Sequence, residues 1–163
     1  MKNLRSEAPA LYAMPPPVQP DDVVIQRALA ILEARINKNP ALSSPRDTID
    51  YLRLQLVPEQ REVFGVLYLD NRYRAIGFEP LFYGTIDGAS VHPREVVKAA
   101  LLRNAAAVIL AHNHPSGSPE PSRADQNITK RLQDALALVD VRVLDHVVVG
   151  AEGAVSFAER GLL

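Results

Sequence analysis

Apolar and polar positions follow two rhythms along this chain, and each change of rhythm marks an element. Residues 1–20 follow neither, holding Pro9, Pro15, Pro16, Pro17 and Pro20; such a stretch favours extended polyproline and reads as a flexible tail or arm. Asp21-Asp22 then open a helical period with Val24, Ala28, Ile31, Leu32 and Ile36 on one face, stopped by Asn39-Pro40. Ser43-Ser44-Pro45 starts a second helix, with proline at its first position and Ile49, Leu52 and Leu56 as the buried stripe. Past Pro58 the rhythm is that of strands. Val63 to Leu69 is one, Asp70-Asn71-Arg72 a turn, Tyr73 to Phe78 its antiparallel partner, and Leu81 to Ile86 a third strand. His92-Pro93 begins a helix with Val96, Val97, Ala100 and Leu101 as its apolar face. Ala105 to Ala111 is almost continuously apolar, as a central strand covered on both faces requires. Ser122 to Val139 is the longest helix, with Ile128, Leu132, Ala135, Leu136 and Val139 on one stripe. Val141 to Val149 and Ala154 to Phe157 close the chain as strands. Strands interleaved with helices, plus one hairpin, predict an α/β (α+β) fold in which a mixed sheet is flanked by helices. The expected organisation is a tail (1–20), a helical segment (21–57) and one catalytic-sized domain (58–163).

Composition narrows the function. With 163 residues and 47% apolar content there is room for one real core. A formal net charge of −1 gives no chain-wide attraction to nucleic acid or to an anionic membrane. The absence of cysteine excludes disulfides, thiolate zinc sites and cysteine nucleophiles. No stretch approaches the ~20 apolar residues of a membrane span, and MKNLRSEAP lacks the apolar core of a signal peptide, so the cytoplasm is the expected location. The proline-rich arm could pack on a second copy of the chain, so a homodimer is compatible with the sequence.

Chemistry gathers between Ala105 and Asp125. His112 and His114 flank Asn113 at the end of the apolar run, so in extended chain both rings point to one side, and Pro115 keeps His114 extended. Asp125 continues the Ile128, Leu132, Leu136 stripe backward, which places a carboxylate on the buried face of the long helix. Such a charge is costly unless paired or bound to a metal. Ser122-x-x-Asp125 also has the form of a capping box, and the two roles are compatible. Two imidazoles and one carboxylate leave a fourth position open, the ligand count of a hydrolytic rather than a structural zinc site, with one Zn²⁺ per chain. Hydrolysis also needs a base. Glu62, at the head of the first strand, is the best placed; Glu95 suits a helix dipole, and Glu120 lies in the loop itself. His146 shares a face by alternation with Leu144 and Val148 and reads as a hydrogen-bonded core histidine beside the site, while Asp145 points the other way. His92 reads as a helix-start residue. Arg123, Lys130 and Arg131, interleaved with Asp125 and Asp134, read as a solvated face.

The spacing His112-Asn-His114-Pro115 followed by Ser122-Arg-Ala-Asp125 resembles the JAMM motif of MPN-domain metalloproteases. GTIDGASVHPREVVKAAL (84–101), HNHPSG (112–117), RVLDHVVVG (142–150) and the C-terminal VSFAERG resemble the bacterial RadC family, over residues 43 to 163. The resemblance implies the MPN/JAMM, cytidine-deaminase-like architecture, zinc held by His112, His114 and Asp125, Glu62 as general base, and Ser122 steadying an oxyanion. It implies cleavage of a peptide or isopeptide-like amide bond in a peptide or protein substrate. Full-length RadC proteins usually add an N-terminal helix-hairpin-helix that suits DNA, and such a hairpin needs glycine. All 8 glycines here lie at position 65 or later, so residues 1–60 are expected to lack it. A DNA-repair or mobile-element role through DNA or protein binding is the alternative reading.

Overall fold

The computed structural model describes residues 20–38, 44–84 and 90–163. Its elements are α1 (Pro20–Lys38), α2 (Pro45–Leu56), β1 (Val63–Leu69), β2 (Ala75–Tyr83), α3 (Pro93–Leu102), β3 (Ala107–Asn113), α4 (Arg123–Ala137), β4 (Arg142–Gly150) and β5 (Gly153–Ser156). The strands form one sheet in the order β2-β1-β3-β4-β5. Every neighbouring pair is antiparallel except β3 and β4, which run parallel. A parallel pair needs a crossover, and α4 supplies it.

Every residue of β1 and β3 is buried, because these strands are covered on both sides. Val63, Leu67, Leu69, Ile109 and Ala111 join Tyr51, Leu52 and Leu56 of α2 and Leu29 of α1 in one core. Phe64, Val66, Tyr68, Val108 and Leu110 join Val96 and Ala100 of α3 and Leu132 and Leu136 of α4 in the other. Each fully buried leucine contributes roughly 1.5–3 kcal/mol to this sandwich. The period-two alternation of β3 therefore sends His112 to the α3/α4 side and Asn113 to the α1/α2 side. Residues 1–19 of the expected tail, the stop at Asn39-Pro40 and the strand end at 85–86 lie outside the described residues, while Pro20 opens α1.

Five expectations are corrected. The separate strand at 81–86 does not form; β2 runs unbroken from Ala75 through Pro80 to Tyr83. A proline is tolerated there because β2 is an edge strand, and a bulge lies opposite it between Phe64 and Gly65. Tyr73, expected in that strand, belongs to the turn, with φ 59 and its N–H on the Asp70 carbonyl. On α1 the buried face is Ile25, Leu29 and Leu32, whereas Val24 and Ile31 are exposed. Both stripes fit the helical period, and docking on α2 and β2 selects the second. On α3, Leu101 is exposed and the inward stripe is Val96, Ala99 and Ala100. Finally, a bulge where Val108 pairs Val143 but Ile109 pairs Asp145 makes Leu144 an extra residue. Leu144 consequently packs on the α2 side, and simple alternation with His146 fails.

Candidate metal centre

β3 ends at the rim of the sheet, and its last turns of chain carry the two histidines. His112 is buried and stacks on Phe64 of β1 with ring planes 14° apart. The His114 backbone N–H still bonds to the Val149 carbonyl of β4, so the second histidine stays in line with the first. Beyond it the loop turns at Gly117, with φ 97, and returns its Ser118 carbonyl to 3.0 Å from His114 Nδ1. Gly150 makes room for this loop, since a Cβ there would sit 2.9 Å from the Pro119 nitrogen and inside the Gly117 carbonyl.

Asp125 arrives from α4. Ser122 is the N-cap: Asp125 N–H bonds to Ser122 Oγ at 3.1 Å, and Asp125 Oδ2 accepts from both Ser122 N–H and Ser122 O–H at 2.6 Å. The capping box and the inward carboxylate are thus one arrangement, in which the cap holds the carboxylate still. His112 Nε2 lies 3.0 Å from His114 Nε2 and 3.2 Å from Asp125 Oδ1, and His114 Nε2 lies 3.5 Å from Asp125 Oδ2. A tetrahedral zinc with bonds of about 2.0–2.1 Å has donor-to-donor edges of about 3.3 Å, so the separations between the two ring nitrogens and the two carboxylate oxygens are of the length such edges require. The group His112, His114 and Asp125 could hold a metal ion.

The electrostatics suit a cation. Burial opposes ionisation of Asp125, yet the flanking His112 and His114 rings outweigh it and hold the carboxyl well below the usual carboxylate range. The Asp125 carboxylate in turn raises His114 above an ordinary histidine. His146 is wholly buried, and burial pushes it well below an ordinary histidine. Its Nε2 is 2.8 Å from His112 Nδ1. It is not part of the ligand group.

Glu62 stands across the cleft. The β1–β3 register pairs Phe64 with His112, and continuing it two residues sets Glu62 opposite His114. The Glu62 charge acts on His114, and both line a cleft of about 610 Å³ with Ser122, Asp125, Phe64, His92 and Arg131. The other two acids are placed elsewhere. Glu120 is held by Arg160 at 2.7 and 2.9 Å, and Glu95 faces Lys98 on the exposed side of α3. Asp145, on the opposite sheet face as expected, binds the His146 and Ala158 N–H groups and the Ser156 hydroxyl.

Two residues that the sequence reading passed over belong to this architecture. Asn113 is buried; its Oδ1 accepts from Val63 N–H at 2.7 Å, and its Nδ2 donates to the carbonyls of Glu59 and Arg61 at 3.2 and 3.0 Å. It thereby clamps the backbone on both sides of Glu62. Thr129 is a polar residue one turn beyond Asp125 on an otherwise apolar stripe, which was a readable signal.

The family described as RadC-like JAB domain matches residues 42–162. A UPF0758 protein of Thioalkalivibrio sulfidiphilus is 62% identical over 140 residues, which cover 86% of this chain and 62% of that protein. A UPF0758 protein of Vibrio cholerae is 59% identical over 140 residues, 86% of this chain and 88% of its own length. A third, from Nitrosococcus oceani, is 62% identical over 132 residues, 81% of this chain and 59% of its own length. The chain thus spans about three fifths of the first and third of these relatives.

Proposed function

The chain belongs to the RadC-like JAB domain family, and on that premise we propose that it is a zinc metallohydrolase of the JAMM type. The bond cleaved is a peptide or isopeptide-like amide. The observation that carries this reading is the triangle of His112 Nε2, His114 Nε2 and Asp125 carboxylate, opening on a cleft whose far wall bears Glu62. When bound, zinc supplies Lewis acidity toward an amide carbonyl and acidifies water toward a pKa of about 7. His112, His114 and Asp125 hold it. Glu62 takes a proton from the attacking water on its carboxylate and returns it to the leaving nitrogen. Ser122 offers its O–H to the developing oxyanion from beside Asp125; while Oδ2 accepts that proton, Ser122 serves first to orient the carboxylate. Phe64, Val91 and Ile128 give the cleft an apolar side against which the substrate would lie. The substrate is a peptide or protein, and the setting is the cytoplasm.

The test has two arms. Protein refolded metal-free and reloaded should hold one zinc per chain, and a His112→Ala, His114→Ala double variant none. Glu62→Gln should keep zinc but lose at least about a hundredfold in turnover of a peptide mixture followed by mass spectrometry. Absence of zinc uptake by the wild-type chain would sink the reading. Turnover that survives Glu62→Gln would remove Glu62 as base. Steeply salt-dependent DNA binding, indifferent to Glu62→Gln, would favour a DNA-associated role instead.

A further inference from the structure

We infer that Thr129 and His146 are positioning residues that fix which nitrogen of His112 presents its lone pair to the metal centre. The inference rests on the metal reading above, but a separate set of atoms carries it. Thr129 lies one turn after Asp125 on α4, and its hydroxyl donates back to the Asp125 carbonyl at 2.5 Å. A hydroxyl has one proton, and that bond uses it. Toward His146 Nδ1, 2.6 Å away, Thr129 Oγ1 can therefore only accept, so His146 Nδ1 carries a hydrogen. The neutral ring then has only a lone pair at Nε2. His112 Nδ1, 2.8 Å from it, must be the donor. That leaves His112 Nε2 with a lone pair, aimed at the point it shares with His114 Nε2 and Asp125.

The opposite assignment, with His146 donating through Nε2, would need Thr129 to give its one proton to His146 Nδ1 and leave its bond to the Asp125 carbonyl unmade; it would also put the His112 proton on Nε2. Every link is enclosed: Thr129 is 1% exposed, His146 0% and His112 1%. Phe64 and Phe157 shut the His146 ring in, so no water need be invoked to supply or remove a proton. His114 is set independently, through Nδ1 to the Ser118 carbonyl. The relay thus starts on the backbone of one ligand, Asp125, crosses β4, and ends on the ring of another, His112. The acceptor for His112 is an uncharged ring, so the relay orients the ligand without adding charge to the site.

Thr129→Val keeps the shape and removes the hydroxyl, whereas Thr129→Ser keeps it. Zinc affinity of the full chain, measured by competition with a chromophoric chelator, should fall roughly ten- to a hundredfold for Thr129→Val and stay within about threefold of wild type for Thr129→Ser. With 4 histidines in the chain, long-range ¹⁵N–¹H spectra of zinc-loaded wild-type protein can assign every ring. His146 and His112 should both be protonated at Nδ1. Equal affinities for the two variants, or a proton on His146 Nε2, would overturn the relay while leaving the metal site standing. A wild-type chain that binds no zinc would overturn both.

Discussion

Asn113 offers the sharpest test of how the two halves of the site are joined. It sits between the two histidines yet faces the other side of the sheet, where it makes three hydrogen bonds to residues 59–63. Their orientation is unambiguous, since Val63 N–H requires an acceptor and two carbonyls require donors. In Asn113→Ala the Val63 N–H, on a residue 1% exposed, is left without a partner, a cost of about 1–3 kcal/mol. The Glu59 and Arg61 carbonyls belong to exposed residues and re-pair with water, so each loss is worth about 0.5–1 kcal/mol. The sum is about 2–5 kcal/mol. For a chain of this size that lowers the melting temperature by roughly 4–20 °C. Asn113→Asp still accepts from Val63 but turns a carboxylate oxygen toward two carbonyls, so it should be no better than alanine. Thermal unfolding of the metal-free proteins measures both. Variants that remain folded should bind zinc nearly as wild type does and turn over substrate more slowly, because the segment bearing Glu62 is loosened. A melting temperature within about 2 °C of wild type for Asn113→Ala would refute the clamp, and wild-type behaviour of Asn113→Asp would refute its donor half.

Two further perturbations probe the ligand supports. Ser122→Ala removes an N-cap worth about 1 kcal/mol, so melting falls by about 2–4 °C, and zinc affinity falls with it because Asp125 loses two hydrogen bonds. Ser122→Thr should restore both in a chelator competition. Gly150→Ala drives a methyl into the backbone at Gly117 and Pro119, an overpacking of about 1–3 kcal/mol that also displaces the Ser118 carbonyl from His114. Calorimetry should show that loss in Gly150→Ala and not in Gly77→Ala, where a Cβ meets nothing within 4 Å.

The grouping of His112, His114 and Asp125 was legible because it obeys two simple periods. Alternation along an extended strand aligned His112 with His114, and the helical stripe carried Asp125 inward without any knowledge of the tertiary structure. The same period hid Asn113: a reader following the face of the histidines discards the residue between them, though its burial on the other face is what joins β3 to the approach of β1. Glu62 was legible only as an acid at a strand head, and its place opposite His114 depends on the pairing of β1 with β3. The bulge at Leu144 left no mark in composition, since valine, leucine and aspartate fit either face. The stripe of α1 was misjudged because two apolar rows one residue apart satisfy the same period, and only docking separates them.

The edge formed by β2 bears on how a peptide could be recognised. An incoming strand extends a sheet by matching evenly spaced N–H and C=O groups. β2 withholds an N–H at Pro80, and breaks its register opposite Phe64/Gly65 and again at Tyr68/Leu69. Its outer ladder is therefore uneven, the means by which edge strands avoid pairing with other chains. That margin is an irregular template for an added strand. On the proposed amide hydrolysis, selection among peptides would then rest on side chains within the cleft, where shape and charge discriminate residue by residue, more than on main-chain pairing along β2.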